Sequence, residues 1–520
     1  MIPKDEINRR DFLAPAAAGL ALTLVPRHVL GGPGYVPPSD KLTIAYIGCG
    51  TQGTREMLQL IASPDVQITA VCDPVKDGTN YVDWSKNGIR DSVRRTLEDP
   101  SWGNGVTGIR AGRDMAKEII ETYYAKKRAA ENFRGLASYS DFRELLEKEK
   151  DLDAVKIMTP DHLHATIAIA AMKKHKNVAV HKPLSNRVSE VRMVVETARR
   201  TGVATHLLAW RAPLTAVRQM ILDGAIGELK EVHNWTDRPF WPQQLALPSD
   251  RPPVPPNFDW DLWLGPEAER PYHPTYTHAV FRGWYDFGGG SIADMGNYSL
   301  WPIFMALDLP VPYSVEAQSS SSCELNDQVS TIKMNDFSFP YANRVCFKLA
   351  PHGQWPALKL YWYDGGMRPF TPEEVSEDGK SLPSAGTLFI GDKGVILNNE
   401  IVPSKKMHEY RAAKGIPEPQ AGRGGRGGRG GGAGGGGTAE WVAAFKGGPA
   451  SQGNFLNAAN CSEAIALAGA AIRYSRKIFN ENRCAPALQW DRENMKFTNV
   501  AEANPYLSRE YRNGWQLTGV

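Results

Sequence analysis

The chain reads as an α/β protein that opens with a parallel strand-helix-strand unit and carries a second domain behind it. Three observations predict this. Lys41 to Asp73 runs KLTIAYIGCGTQGTREMLQLIASPDVQITAVCD: the apolar stretch Leu42 to Ile47 meets Gly48-Cys49-Gly50-Thr51-Gln52-Gly53, a helical pattern follows (Met57, Leu58, Leu60, Ile61), and a second apolar stretch, Val66 to Cys72, ends at Asp73. Strand and helix patterns keep alternating as far as Val180, as crossover units of a parallel sheet do. The 520 residues are enough for two separate cores.

Each glycine of the first turn has a physical task. Gly48 makes the turn, Gly50 lets backbone approach a pyrophosphate, and Gly53 lets the helix pack close to the strand. Thr51 and Gln52 open the helix, whose free N–H groups and positive dipole end face the phosphates. Asp73 follows the last glycine by about 20 residues, where a carboxylate can hold the adenosine ribose hydroxyls. It would repel a 2′-phosphate, so the expected cofactor is NAD rather than NADP.

Composition narrows the rest. A net charge of +3 with scattered basic residues gives no nucleic-acid footprint. The six cysteines (Cys49, Cys72, Cys323, Cys346, Cys461, Cys484) show no C-x-x-C spacing, which argues against zinc and against a disulfide framework, and no metal is expected. Asn8-Arg9-Arg10-Asp11-Phe12-Leu13 precedes Ala14 to Val25, a mild apolar run too short to span a bilayer, and then the Gly/Pro-rich linker Gly31 to Ser39. Paired arginines in that setting are the signature of twin-arginine export, which carries folded proteins. The expectation is an exported, periplasmic protein without stable membrane anchoring, loaded with its dinucleotide before it leaves the cytoplasm.

Along the chain, Gly78 to Gly112 is polar and glycine-dotted, an insertion before a helical pattern at Met115 to Ala129. A capped helix follows with Ser140 as N-cap and Arg143-Glu144 in its first turn. Ala154 to Met158 is apolar except for Lys156 and ends in Thr159-Pro160-Asp161-His162-Leu163-His164. The loop after a parallel strand lies at the ligand crevice, which places Thr159, Pro160, Asp161 and His164 against the cofactor. Helix Ala165 to Lys174 and strand Asn177 to Val180 lead into His181-Lys182-Pro183.

These motifs, with Gly288-Gly289-Gly290-Ser291-Ile292-Ala293-Asp294-Met295-Gly296 downstream, resemble the glucose-fructose oxidoreductase / inositol dehydrogenase / MocA family from about Lys41 to about Ser475. The resemblance implies a Rossmann dinucleotide-binding domain followed by an α+β domain with a large, open, mainly antiparallel sheet that carries the substrate site. The expected division is 1–40 signal and linker, 41–183 nucleotide domain, 184–480 substrate domain and 481–520 tail. Helices at Val188 to Thr201 and Leu214 to Asp223, with strands at Ala204 to Ala209, Leu229 to Trp235, Ser314 to Ala317, Asn343 to Leu349 and Lys359 to Tyr363 and a hairpin around Thr387 to Asn398, fit that picture. Residues 421–437 (AGRGGRGGRGGGAGGGG) read as a solvated flexible loop. Ala439 to Phe445 and Asn460 to Arg473 are helical patterns expected to return to the nucleotide domain, and Trp490 to Val520 reads as a polar tail suited to an oligomer contact, in a homodimer or homotetramer.

Arg238-Pro239-Phe240-Trp241-Pro242-Gln243 opens an aromatic stretch that includes Trp260, Trp263, Tyr272, His273, Tyr276, His278, Trp284 and Tyr285. Such a set offers flat apolar faces and polar tips to a carbohydrate. His206, Arg211, Trp241, Tyr276, His278 and Trp284 are the substrate-binding candidates. For chemistry, Lys182 is expected to bind the reacting oxygen beside the nicotinamide, and Asp294 and Tyr298 stand one helical turn apart. The sequence departs from the family twice: His181 replaces the Glu before the lysine, and Tyr298 stands where the family has its catalytic His. Tyr298 is then the candidate base, its pKa lowered by Lys182, with His181, His206 or His278 as alternatives.

The expected function is an NAD-dependent oxidoreductase acting on a sugar or glycoside hydroxyl, with a tightly held, internally recycled cofactor. A glycosidase working by transient oxidation, and a non-catalytic carbohydrate-binding member of the fold, remain open beside it.

Overall fold

The computed structural model describes residues 40–517 apart from 130–132, 134, 419–437, 480 and 482. The segment read as an export signal and the Gly/Arg-rich loop therefore lie outside the described residues. The first sheet has six parallel strands: β1 (Leu42–Ile47), β2 (Val66–Cys72), β3 (Ala137–Tyr139), β4 (Ala154–Ile157), β5 (Asn177–Val180) and β6 (Thr205–Leu207). Their spatial order is β3-β2-β1-β4-β5-β6, so the order reverses between β1 and β4 and opens a crevice at their C-terminal ends.

Alternation along these strands builds two layers. Ala45, Ile47, Val155, Ile157, Val178 and Val180 pack with helices His164–Lys173 and Val188–Thr201. Leu42, Ile44, Tyr46, Ala154 and Ala179 face helix Arg113–Lys127 and the returning helix Thr438–Phe445. Lys156 lies in that second layer at 2 % exposure, its ammonium 3.1 Å from Glu56 and over the rings of Tyr46 and Trp441.

The second sheet is built from β7 (Leu229–Trp235), β8 (Ser314–Ser319), β11 (Asn343–Leu349), β12 (Leu358–Tyr363), β13 (Gly386–Gly391), β14 (Val395–Leu397), β15 (Glu400–Val402), β16 (Leu488–Asp491) and β17 (Lys496–Phe497). Its order is β15-β14-β13-β7-β12-β11-β8-β16-β17, and every neighbour pair is antiparallel except β7 with β12. The hairpin of β9 (Ser322–Asn326) and β10 (Val329–Lys333) stands outside both sheets. Helix Phe455–Phe479 is long and apolar enough to cross a membrane, but 72 % of its apolar window is buried inside the protein, where it packs on helix Val188–Thr201 and β8.

Several expectations need correction. The first sheet runs past residue 183, because β6 pairs in parallel with β5. Asp141, not Ser140, caps helix Phe142–Lys148, its carboxylate accepting from the Arg143 N–H. The polar insertion contains helix Gly88–Leu97, held by the apolar stripe Ile89, Val93 and Leu97. The tail packs on its own chain: β16 pairs with β8, and Trp515 joins the main core beside Phe142.

Candidate active site

The glycine loop after β1 forms a cradle that side chains would fill. Gly48 turns at φ +97°, and a Cβ there would come within 2.5 Å of the Met158 carbonyl carbon. A Cβ on Gly53 would lie 2.3 Å from the Gly48 oxygen. Gly50 caps helix Thr51–Leu60 with no side-chain acceptor, which leaves that end open to an anion. Gln52 is drawn aside, its amide oxygen 3.4 Å from an Arg55 nitrogen. Asp73 accepts from the N–H groups of Cys49 (2.6 Å) and Val75 (2.8 Å), one on each oxygen, and retains a further lone pair on each. Burial pushes its pKa up to about 6 against the pull of those N–H groups and Arg113. The Thr159 hydroxyl, after β4, is buried without a hydrogen-bond partner among the described residues. An open helix terminus, an oriented carboxylate and an orphaned hydroxyl around one crevice fit a dinucleotide.

The insertion folds over this cradle. Tyr81 lies 3.3 Å from where a Gly50 Cβ would stand, Thr51 donates to the Val82 carbonyl (3.2 Å), and Arg55 pairs with Asp83. The chain just before the insertion reaches the second domain: Val75 bridges Phe258, Lys76 N–H donates to Asn257 (2.7 Å), and Asp259 N–H donates to Pro74 (3.1 Å). Tyr81 also stacks on His278 with ring centres 3.7 Å apart. His278, expected to face substrate, instead closes the cover above the glycine loop, and burial lowers its pKa to about 4.

Lys182, after β5, points into a buried group of charges. It donates to Asp294, which sits in a π-helical turn at Ile292–Gly296, a distortion that recurs at functional sites. Arg282 holds Asp161 with Nη1 at 3.0 and 3.3 Å from the two carboxylate oxygens, and its Nε lies 3.6 Å from Asp294. Arg238 Nε is 3.9 Å from the other Asp294 oxygen. Burial lowers the Lys182 pKa to about 8; Arg282 adds to the fall and Asp294 opposes it. Burial alone would raise Asp294, but Lys182 and Arg282 outweigh it and hold the carboxyl below its usual range.

The Gly288-Gly289-Gly290 turn sets this arrangement. A Cβ at Gly288 would strike the Arg282 Cα at 2.5 Å, and Gly290, at φ +65°, leaves no space before the Phe339 ring. Gly289 N–H donates to Asp161 at 3.1 Å. Asp161, expected at the cofactor, is therefore a brace between the strand-end loop and the second domain. His164 is a brace too: its ring nitrogens lie 2.6 and 2.8 Å from the carbonyl oxygens of Pro183 and Thr159, tying the loops after β4 and β5 together. Pro160 starts the short turn between them.

Tyr298 lies 3.2 Å from His181 Nε2, with the Lys182 ammonium 5.5 Å from its ring centre. The expected lowering of its pKa does not occur: burial, then the Asp294 charge, drive the phenol upward. Burial, Lys182 and Arg282 push His181 well below the usual imidazole range, so that ring is neutral.

Other expected substrate groups lie elsewhere. His206 sits mid-strand on β6, bonded to the Ser451 hydroxyl (2.7 Å) near Trp441, because its register partner is Ala179 rather than a strand-end residue. Tyr276 and Trp284 pack edge to face, with Trp263, Phe281 and Phe287, in a separate aromatic core, and Trp241 is buried against Gly283. The accessible ring is Phe240, 56 % exposed under the Arg238 guanidinium. Arg211 lies over Tyr298, its guanidinium carbon 4.7 Å from the ring centre. Arg282 was not among the candidates; a lone arginine six residues before a triple-glycine turn, inside an aromatic stretch, is the signal that points to it.

Two family descriptions match the chain in order: "Oxidoreductase family, NAD-binding Rossmann fold" at residues 109–208, and "Oxidoreductase family, C-terminal alpha/beta domain" at residues 216–348. Among curated relatives, a glycosyl hydrolase family 109 protein of Solibacter usitatus is 29 % identical over 202 residues, 38 % of this chain and 37 % of its own length. A dTDP-3,4-didehydro-2,6-dideoxy-alpha-D-glucose 3-reductase of Streptomyces violaceoruber is 34 % identical over 108 residues, 20 % of this chain and 31 % of its own. A levoglucosan dehydrogenase of Pseudarthrobacter phenanthrenivorans is 34 % identical over 105 residues, 19 % of this chain and 26 % of its own. The chain thus spans only about a third of the length of these relatives. Among solved structures, the WlbA dehydrogenase of Chromobacterium violaceum, crystallised with NADH and UDP-GlcNAcA, aligns with a TM-score of 0.46 at 14 % identity over 84 % of this chain and 95 % of that one. Both descriptions, those of the two Gfo/Idh/MocA oxidoreductase domains, match in order on the expected two-sheet architecture over residues 109–208 and 216–348, and the cofactor is NAD.

Proposed function

We propose that this protein oxidises a hydroxyl of a sugar or glycoside with an NAD that stays bound through the cycle. The observation that carries the reading is the buried Lys182–Asp294 pair at the end of β5, beside the crevice of the glycine loop. NAD supplies the hydride acceptor when bound. The protein must take the hydroxyl proton and stabilise charge on the oxygen. Lys182, with its pKa brought down to about 8, is neutral in roughly a tenth of molecules at pH 7 and can accept that proton at Nζ; Asp294 then stabilises the ammonium that forms. Tyr298 and the neutral His181 orient the oxygen rather than act as final proton acceptor, since one is too weak an acid and the other too weak a base. Arg282 positions Asp294 and Asp161 together.

The insertion supports a retained cofactor, because the glycine loop is covered by Tyr81 and by the Arg55–Asp83 pair. Retention suits the twin-arginine segment at the N-terminus, and export to the periplasm is part of the proposal. Heat-denatured, purified protein should release a stoichiometric dinucleotide, and sugars added to the folded protein should reduce it once. Absence of both would defeat the reading.

Repeated matches to glycosyl hydrolase family 109 proteins favour a second reading, a glycosidase that oxidises its sugar transiently. Release of aglycone from a glycoside without net NADH would select it; stoichiometric free NADH would count against it.

A further inference from the structure

Guanidinium groups from separate elements converge on the mouth of this site. Arg211 follows β6, lies partly buried over Tyr298 and donates to its neighbour's carbonyl, Trp210, at 2.8 Å. Among the described residues no carboxylate comes within ion-pair distance of it. Arg238 follows β7, covers Phe240 with its guanidinium carbon 3.7 Å from the ring centre, and reaches Asp294 only at 3.9 Å. Arg282 and Lys182 lie deeper. Beside these groups stand Asp161 and Asp294 inside and Asp237 at the rim, 3.5 Å from Arg238. Glu56, whose charge also reaches Tyr298, is already paired with Lys156. Arg238 and Arg282 thus each have a carboxylate beside them, and Arg211 has none among the described residues.

A guanidinium keeps its charge at any working pH, and when partly removed from water it gains most from an anion that can take two parallel N–H bonds. A carboxylate fits that fork. The exposed Phe240, under the Arg238 guanidinium, offers an apolar face to the C–H side of a pyranose ring. Asp294 and Tyr298 lie one helical turn apart, so Arg238 on the first and Arg211 on the second flank the place where Lys182 Nζ meets the reacting hydroxyl.

We infer that the substrate is an acidic sugar, a uronic acid or its glycoside, with its carboxylate held by Arg211 and one ring face covered by Phe240 and Arg238. This rests on the sugar-hydroxyl reading above and adds the charge of the substrate. The test is calorimetric titration of the NAD-loaded full chain with glucuronate, galacturonate, glucose, galactose and glucose 6-phosphate, for the native protein and for Arg211→Ala and Arg211→Lys.

A hexuronate should bind at least about 10-fold tighter than the matching hexose, and Arg211→Ala should remove that advantage, as loss of a charge-assisted bidentate pair does. Arg211→Lys should restore part of it. Hexose affinity should change much less than hexuronate affinity in both variants, and retained NAD with an unchanged melting curve shows that the variants fold. Equal binding of hexose and hexuronate, or a hexuronate affinity indifferent to Arg211, overturns the inference. Tighter binding of the sugar phosphate than of either hexuronate overturns the carboxylate assignment. Hydride transfer to the bound NAD is read in parallel. Arg211-dependent uronate binding without transfer sinks the oxidoreductase reading alone, and transfer from neutral sugars without uronate preference sinks the substrate inference alone.

Discussion

At the scale of single residues, the behaviour of Lys182 is decided by two neighbours of opposite sign. Burial and Arg282 press its pKa down to about 8, and Asp294 holds it up. If the neutral amine takes the proton, oxidation should rise with pH through about 8 as the ammonium is lost. Asp294→Asn removes the group that raises the pKa, so the midpoint of the pH profile should move to lower pH while the rate falls. Lys182→Arg keeps a cation that cannot deprotonate, and should lose on the order of 100-fold or more in turnover with NAD still bound. Single-turnover rates against pH for the three proteins check this, and a flat profile in the native protein would remove Lys182 from the role of base. Tyr298→Phe deletes a phenol whose pKa is raised, so it should cost under about 10-fold, with ring packing retained. A larger loss would return the proton to Tyr298 and His181. Lys182 and Asp294 are legible in the sequence because Pro183 and the triple glycine punctuate the elements that carry them. Arg282 is marked in sequence only by its place before the triple glycine, and its aim, like that of Arg238, depends on aromatic packing that no periodicity encodes.

At the scale of elements, the insertion acts as a strap. It touches the glycine loop through Tyr81 and Thr51–Val82, and the second domain through His278. Asp83→Asn breaks the pair with Arg55 and leaves the rest of the strap in place. The expected outcome is faster loss of NAD during gel filtration or against a trap for free dinucleotide, with little change in melting once the cofactor is replenished. Retention equal to the native protein would show that the strap packs on the loop without gating it. The elements themselves divide by how local their causes are. β1, β2, β5, β7, β11 and helix Val188–Thr201 match their expected bounds residue for residue, because apolar runs or helical periods end at Gly, Pro or charged residues. The β9–β10 hairpin escapes because it has one weakly apolar face and no partner sheet. Tyr276 and Trp284 look like a sugar platform in sequence, yet aromatic residues placed close along a loop also find one another, and here they form a core of their own.

At the scale of the whole molecule, the chain's end locks its two halves. Arg509, 3 % exposed, pairs with Glu190 through Nε at 2.7 Å and Nη2 at 3.0 Å, and with Glu267 through Nη1. Glu190 opens helix Val188–Thr201 beneath the first sheet, whereas Glu267 belongs to the aromatic segment that carries Arg282. Tyr511 donates to the same Glu190 at 2.8 Å. One guanidinium thus spans the nucleotide domain and the segment that carries Arg282. Removing it leaves two buried carboxylates, Glu190 without its cation and Glu267 with only Arg187, at 3.7 Å. Breaking a buried pair by deleting one partner costs about 3–5 kcal/mol, mostly because the surviving charge stays desolvated. Arg509→Ala should therefore lower thermal stability markedly and weaken activity, since the Arg282 segment loses an anchor. Arg509→Met combined with Glu190→Gln removes the stranded charge along with its partner and should recover much of the stability. Melting curves of the native, single and double variants decide the point: if the single variant melts with the native protein, the tail is a passenger. If single and double variants melt alike and low, what holds the tail is packing around Trp515 rather than charge.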